Sequence, residues 1–238
     1  MYKSAIAVHK RGGQYLKDVI YGANDGIITT FAILAGVAGA HLGARVVFLL
    51  GLANLLADGF SMAASNYLGT KSEQEFFTKE RGTESFEYDE RPKEELAEMR
   101  TILLKRGYKE EDADGLLDLL FKNKDFWLDI MLKEELAISM PVHMQESAMK
   151  SSLATFVSFT GAGLIPLLPY FLFSGSGDGG LFMLVSMATA ITLFVMGSLR
   201  SVFTGRNFVL AGLEMLFVGG VAATIAYTVG GLMSRLLA

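Results

Sequence analysis

The sequence predicts an all-α integral membrane protein with five transmembrane helices and a cytoplasmic helical domain inserted between helices 2 and 3. Three observations carry this. Of the 238 residues, 51% are hydrophobic, more than a soluble domain carries and in keeping with a membrane protein that has one polar segment. The charges are segregated: residues 71–150 hold 33 of the 46 charged side chains, twenty acidic and thirteen basic, and the rest of the chain holds five acids and eight bases. On either side of that segment run stretches of about 20 residues with one charge at most, the length a helix needs to cross the hydrocarbon core.

Taken in order, residues 1–18 are a polar, basic N-terminal segment, and residues 19–70 hold the first two spans. The first runs over about 20–43, with Asp25 close to its polar end. Arg45 marks a short turn, and Val46–Thr70 is the second, interrupted only by Asp58. No proline separates this span from the charged run that starts at Lys71, which predicts one long helix passing from apolar to polar surroundings. Residues 71–147 read as a compact helical domain. Its first helix continues through Arg81–Arg91, restarts at Pro92, and stops at Gly107. Lys109–Lys122 follows, with Leu116, Leu117, Leu119, Leu120 and Phe121 as its buried side, then Asp125–Ser139, ending before Pro141. Residues 148–238 hold the last three spans. Ser151–Gly177 carries Pro166 and Pro169, which kink or end a membrane helix. Gly179–Leu199 follows a glycine loop, and Asn207–Ser234 follows a tight turn over Arg200–Arg206. Small-residue runs at Gly36–Ala40 and Gly219–Ala223 favour close helix approach.

Lys3, Lys10, Arg11 and Lys17 precede the first span, and Arg200 and Arg206 join the fourth to the fifth. Positive charge therefore places the N-terminus and residues 71–147 in the cytoplasm. No cleavable apolar core follows the basic residues, so no signal peptide is expected, and a bacterial plasma membrane is the expected location. The absence of cysteine excludes disulfides, thiolate metal sites and cysteine nucleophiles. His9, His41 and His143 have no ligand spacing. No phosphate loop, nucleophile elbow or zinc-protease helix is present. The acidic segment suits cations and not nucleic acid. Neither an enzyme nor a prosthetic group is expected.

Asp25, Asp58 and Glu214 lie in or at membrane segments, where an ionisable group facing lipid costs at least about 2.5 kcal/mol. Each either belongs to an ion or proton path, or sits at the interface, or pairs with an arginine. Thr29, Thr30 and Met62 could share a polar stripe with Asp25. Met62 is packing, or a soft thioether ligand. In the acidic domain, Glu84 and Glu87 are three residues apart, as are Glu95 and Glu98, so each pair shares a helical face. Two such pairs facing each other make an oxygen-rich divalent site, which Glu134 and Glu135, beside Met131, could close. The alternative is a solvated charged face.

Several stretches together resemble the vacuolar iron transporter family: Asp25–Val37, Gly51–Asn54, Ser61–Leu68, Trp127–Leu136 and Gly163–Tyr170. The similarity covers nearly the whole chain from about Lys17. It implies a five-helix homodimer in the lipid bilayer, with an ion path on the two-fold axis. Such proteins move Fe²⁺, often Mn²⁺ too, out of the cytosol in exchange for protons. Carried over by position, Asp25 and Met62 are the pathway acid and methionine. Glu84, Glu87, Glu95, Glu98, Glu135 and Met131 are the gathering ligands of a metal-binding domain. Two positions depart. Asn54 stands where plant-type members have a glutamate; it coordinates but cannot carry a proton, and Asp58, one turn on, is the candidate to replace it. Leu132 stands where a second methionine falls. A ferritin-like domain, fused in some bacterial relatives, finds no room in this length.

Two other readings compete with a transporter. A membrane enzyme with a carboxylate di-metal centre would show a Glu-x-x-His pattern, which the acidic domain lacks. A membrane-anchored divalent-metal sensor or binding protein would have no use for acids within its spans.

Overall fold

The computed structural model describes residues 15–136, 147–173 and 178–237. The first fourteen residues, the end of the helix expected to reach Ser139, His143 and most of the glycine loop lie outside them. Every regular element among the described residues is helical: α1 (Leu16–Gly39), α2 (Ala44–Glu90), α3 (Pro92–Lys105), α4 (Glu110–Leu120), α5 (Lys124–Glu134), α6 (Ala148–Gly163), a 3₁₀ turn (Ile165–Leu167), α7 (Leu168–Leu172), α8 (Asp178–Thr204) and α9 (Phe208–Leu237). Five stretches are long and apolar enough to cross a membrane: α1, α2, the broken run Ala148–Leu172, Gly180–Ser201 and α9. The chain divides into two compact units, one of residues up to Tyr67 together with those from Met149 on, the other Leu68–Ala148. Helix α2, 47 residues without a break, contributes to both.

In the first unit α9 lies along α1 and α8. Glycine makes this possible: a Cβ on Gly230 would stand 2.0 Å from the Gly36 carbonyl oxygen, and one on Gly26 would stand 2.2 Å from that of Phe159 on α6. Backbones that touch in this way gain dispersion contacts where lipid offers no hydrophobic drive between helices. Leu34, Leu55, Phe159, Leu167 and Val185 form the buried core. Phe60, Phe171, Met183 and Phe217 point outward and are exposed, a surface that water disfavours and a bilayer accepts.

Three details differ from the expected spans. Helix α1 starts at Leu16, so Asp18 is a buried helical residue and not part of a polar tail. Helix α8 runs to Thr204, and Gly205, at φ 66°, terminates it; Arg200 is thus helical, and the turn is shorter than Arg200–Arg206. The third span is broken, with Pro166 and Pro169 each in the first turn of a short element, where a missing N–H costs nothing.

The second unit packs α3, α4 and α5 with the charged half of α2 around Met99, Leu103, Leu117, Trp127, Leu128 and Met131. Pro92 opens α3, and Gly107, at φ 95°, follows its end. Helix α4 buries Ala113 and Leu117, but Leu119 is exposed, because the 3.6-residue period turns it away from that face. Ion pairs tie the helices together: Arg81 to Asp125 (3.0 Å) and Asp129, Arg100 to Asp114 (2.7 Å), Lys124 to Asp89 (2.6 Å), and Arg106 to Glu134.

Candidate functional site

In the second unit, the end of α2 and the start of α3 bring one carboxylate oxygen each from Glu84, Glu87 and Glu95 within 4.8 Å of one another. Glu84 and Glu95 are only 4% and 3% exposed. At that separation two ionised carboxylates repel by roughly 3 kcal/mol or more at an effective dielectric near 20. A basic side chain reaches the outer member alone: Arg91 lies 4.0 Å from Glu87, and no cation pairs with the buried Glu84 or Glu95 among the described residues.

The two buried acids are held differently. Glu95 accepts a hydrogen bond at Oε2 from the Trp127 indole N–H at 3.0 Å. The Glu84 Oε2 is buried and has no donor among the described residues. Burial pushes the Glu84 carboxyl up to about 7, and the charges of Glu135, Glu95, Glu87 and Glu98 act in the same direction. Burial also raises Glu95, opposed by the Trp127 N–H, and loss of hydration and the neighbouring glutamates raise Glu135. Glu98 and Glu135 border an open cleft of about 440 Å³ that also meets Thr101 and Lys105. Five of the six glutamates singled out in this domain from the sequence thus form one electrostatic group. Glu134 does not join them, because its carboxylate is taken by Arg106, whose Nε donates at 2.7 Å. Met131 is fully buried among Met99, Leu103 and Trp127. Chemically this is an all-oxygen cluster with one orphaned buried oxygen. It must hold a proton or a cation to be at ease, and the donors suit a hard or borderline divalent ion.

In the first unit, Asp25 is half-buried on α1 and accepts a hydrogen bond from Thr29 at 3.3 Å. Asp58, half-buried on α2, lies within electrostatic reach of it. Asn54 is half-buried one turn before Asp58. Thr30 faces α6, its hydroxyl close to Gly163, and Met62 packs against the apolar core. Glu214 takes the arginine-paired alternative: Arg200 reaches it at 2.5 Å and Arg206 at 3.8 Å. The Asn24 Oδ1, next to Asp25, is buried without a hydrogen-bond donor among the described residues.

One cluster escaped sequence reasoning. The Asn66 amide on α2 donates to Asp18 (3.2 Å), Ser151 (3.2 Å) and Thr155 (2.7 Å), and the Ser151 hydroxyl donates to the other oxygen of Asp18 at 2.5 Å. These residues join α1, α2 and α6 through buried polar groups. Asn66 is four residues after Met62 and Asp18 seven before Asp25, so each shares a helical face with a pathway candidate. An amide inside the apolar run Ser61–Leu68 was the one available signal.

The family model of the VIT family matches residues 16–231. The vacuolar iron transporter of Plasmodium berghei (strain Anka) is 34% identical over 230 residues, which span 94% of this chain and 84% of that protein. The vacuolar iron transporter of Toxoplasma gondii (strain ATCC 50861 / VEG) is 34% identical over 245 residues, 98% and 80% of the two chains. Vacuolar iron transporter 1 of Arabidopsis thaliana is 31% identical over 219 residues, 92% and 86%.

Proposed function

The chain belongs to the VIT family, a family of transporters and not of enzymes, and from that premise we propose that it exports Fe²⁺, Mn²⁺ or both from the cytosol in exchange for protons, as a homodimer. The observation that carries the metal reading is the acidic cluster, three carboxylates within 4.8 Å with a buried, unpartnered Glu84 oxygen among them. On this reading Glu84, Glu87, Glu95, Glu98 and Glu135 gather the ion on the cytoplasmic side, and Met131 adds a soft donor. A divalent ion displaces the proton that Glu84 holds near neutral pH.

Within the membrane, Asp25 supplies the charge that receives a partly dehydrated ion, and the Met62 thioether disfavours Mg²⁺ and Ca²⁺. Asn54 coordinates without titrating, so Asp25 and Asp58 are left to carry the returning proton. Glu214, neutralised by two arginines, takes no part. The relatives above are named for the vacuole, whereas a bacterial plasma membrane is the location we propose. Export from the cytosol has the same sense across either.

Metal flux into proteoliposomes, with Fe²⁺ and Mn²⁺ side by side and a pH gradient on or off, tests the proposal. Flux of either ion that rises with the gradient is expected, and Asp25→Asn should abolish it while the protein stays folded. Flux indifferent to the gradient overturns proton exchange. Metal bound with no flux would return the sensor alternative.

A further inference from the structure

We propose that Trp127 is a positioning residue for the acidic site: its indole N–H holds Oε2 of Glu95, so that Glu95 presents Oε1 to a bound divalent cation. The inference rests on the reading that these glutamates bind such an ion.

The indole cannot move aside. Trp127 is fully buried, its ring edge-on to Phe121 at 5.0 Å and to Tyr88 at 6.1 Å. Tyr88 and Phe121 are themselves stacked at 4.4 Å, and the Tyr88 hydroxyl donates to the Phe121 carbonyl oxygen. Three aromatic rings and one hydrogen bond therefore fix where the N–H points. A buried indole N–H needs an acceptor, and a backbone carbonyl would serve for packing alone. Here the acceptor is an oxygen of the carboxylate cluster, at 3.0 Å.

The contrast with Glu84 gives the bond its meaning. Both side chains are buried, yet Glu95 has one oxygen held and Glu84 has one oxygen with no donor among the described residues. A cation entering the cluster therefore meets one pinned ligand and one that completes its bonding on the ion. Partners that hold a ligand in orientation commonly contribute 10–100-fold to metal affinity. Trp127 also lies four residues before Met131, on the same face of α5, and Glu135 caps that helix, so the ring that pins Glu95 also seats the helix that carries both.

The test uses the full chain in detergent, titrated with Mn²⁺ and followed by the electron paramagnetic resonance of the free ion. Trp127→Phe keeps a ring and removes the N–H. It should weaken Mn²⁺ binding roughly 10–100-fold with unchanged stoichiometry. In a Glu95→Gln background the same change should cost less than about twofold further, because the carboxylate that the N–H positions is no longer there to bind the ion. Equal weakening in both backgrounds would mean that the ring acts by packing, which overturns the inference. If Trp127→Phe folds poorly, a benzothienyl side chain at position 127, with sulfur in place of the N–H, keeps the shape of the indole. It should weaken binding as phenylalanine does, and wild-type affinity there overturns the inference. Wild-type protein that takes up no Mn²⁺ removes the underlying metal reading and this inference with it. Wild-type binding that Trp127→Phe leaves unchanged removes this inference alone.

Discussion

Two buried polar clusters, one in each unit, contain carboxylates of nearly equal burial and opposite condition. Asp18 has both oxygens satisfied, one by Ser151 and one by Asn66. Glu84 has an oxygen with no donor among the described residues, and three more glutamates press on it besides its inner partner Glu95. The first cluster is complete as folded, and its energy is spent joining three helices. The second is incomplete as folded, since among the described residues no cation pairs with its two buried carboxylates, and Arg91 reaches only Glu87 at 4.0 Å. A buried carboxylate is therefore informative through what remains unmet around it. By that measure Asp18 belongs to the scaffold and Glu84 to the metal site we propose.

The comparison breaks first at Asp18. Asp18→Ala would take the carboxylate acceptor from the buried Ser151 hydroxyl and one of the three acceptors from the Asn66 amide, at a cost of about 2 kcal/mol. Thermal unfolding in detergent should register that loss, while Mn²⁺ affinity of the second unit stays as in the wild type. If instead stability held and metal affinity fell, Asp18 would belong with the metal ligands and the contrast would be lost.

Acidity supplies the second test. The Glu84 carboxyl is raised from 4.5 to about 7 in the fold. Between those values the folded protein holds a proton that the unfolded chain has released. Its contribution to stability is complete below the unfolded value and is lost as pH rises through the folded one. Without metal, stability should fall by about 2 kcal/mol between pH 5.5 and 7.5. Added Mn²⁺ should reverse the fall, and metal binding should tighten over the same window as the proton leaves.

Glu84→Gln sharpens the same point from the other side. Removing one charge from the inner cluster should raise metal-free stability at pH 7.5 by about 1 kcal/mol, since like-charge repulsion is relieved. It should also flatten the pH slope and weaken Mn²⁺ binding. A stabilising change that costs affinity is the signature of a site in tension. Destabilisation by Glu84→Gln would mean that the carboxylate is structurally satisfied after all.

How far the sequence revealed these clusters follows from geometry. The spacing of Glu84 to Glu87 and of Glu95 to Glu98 was legible because a helix fixes which side residues three apart will share. The long α2 was legible because nothing in it stops a helix. Glu134 was misleading, since a neighbour in sequence lies about 100° around the helix, and Arg106, 28 residues earlier, decides its fate. Asp18, Ser151 and Thr155 carried no signal. A charge near a span's end is ordinary, and membrane hydroxyls commonly bond their own helix, as Thr155 also does to the Ser151 carbonyl oxygen at 3.1 Å. The meeting of those residues across 133 positions is a tertiary fact.

The smallest expected effect concerns Met131, which both packs and is proposed to ligate. It is fully buried against the aromatic core that holds Trp127, so most substitutions there would confound two roles. Leucine separates them. It conserves volume, so Met131→Leu should leave stability within about 1 kcal/mol, and it removes only the thioether. A soft donor matters more to the later, softer ion of a pair. Met131→Leu should therefore weaken Fe²⁺ binding more than Mn²⁺ binding, measured on the same preparation by competition. Equal weakening of both ions would assign Met131 to packing and leave the site to its oxygens. The contrast between the units would then rest on charge alone, because every donor left in the second cluster would be a carboxylate.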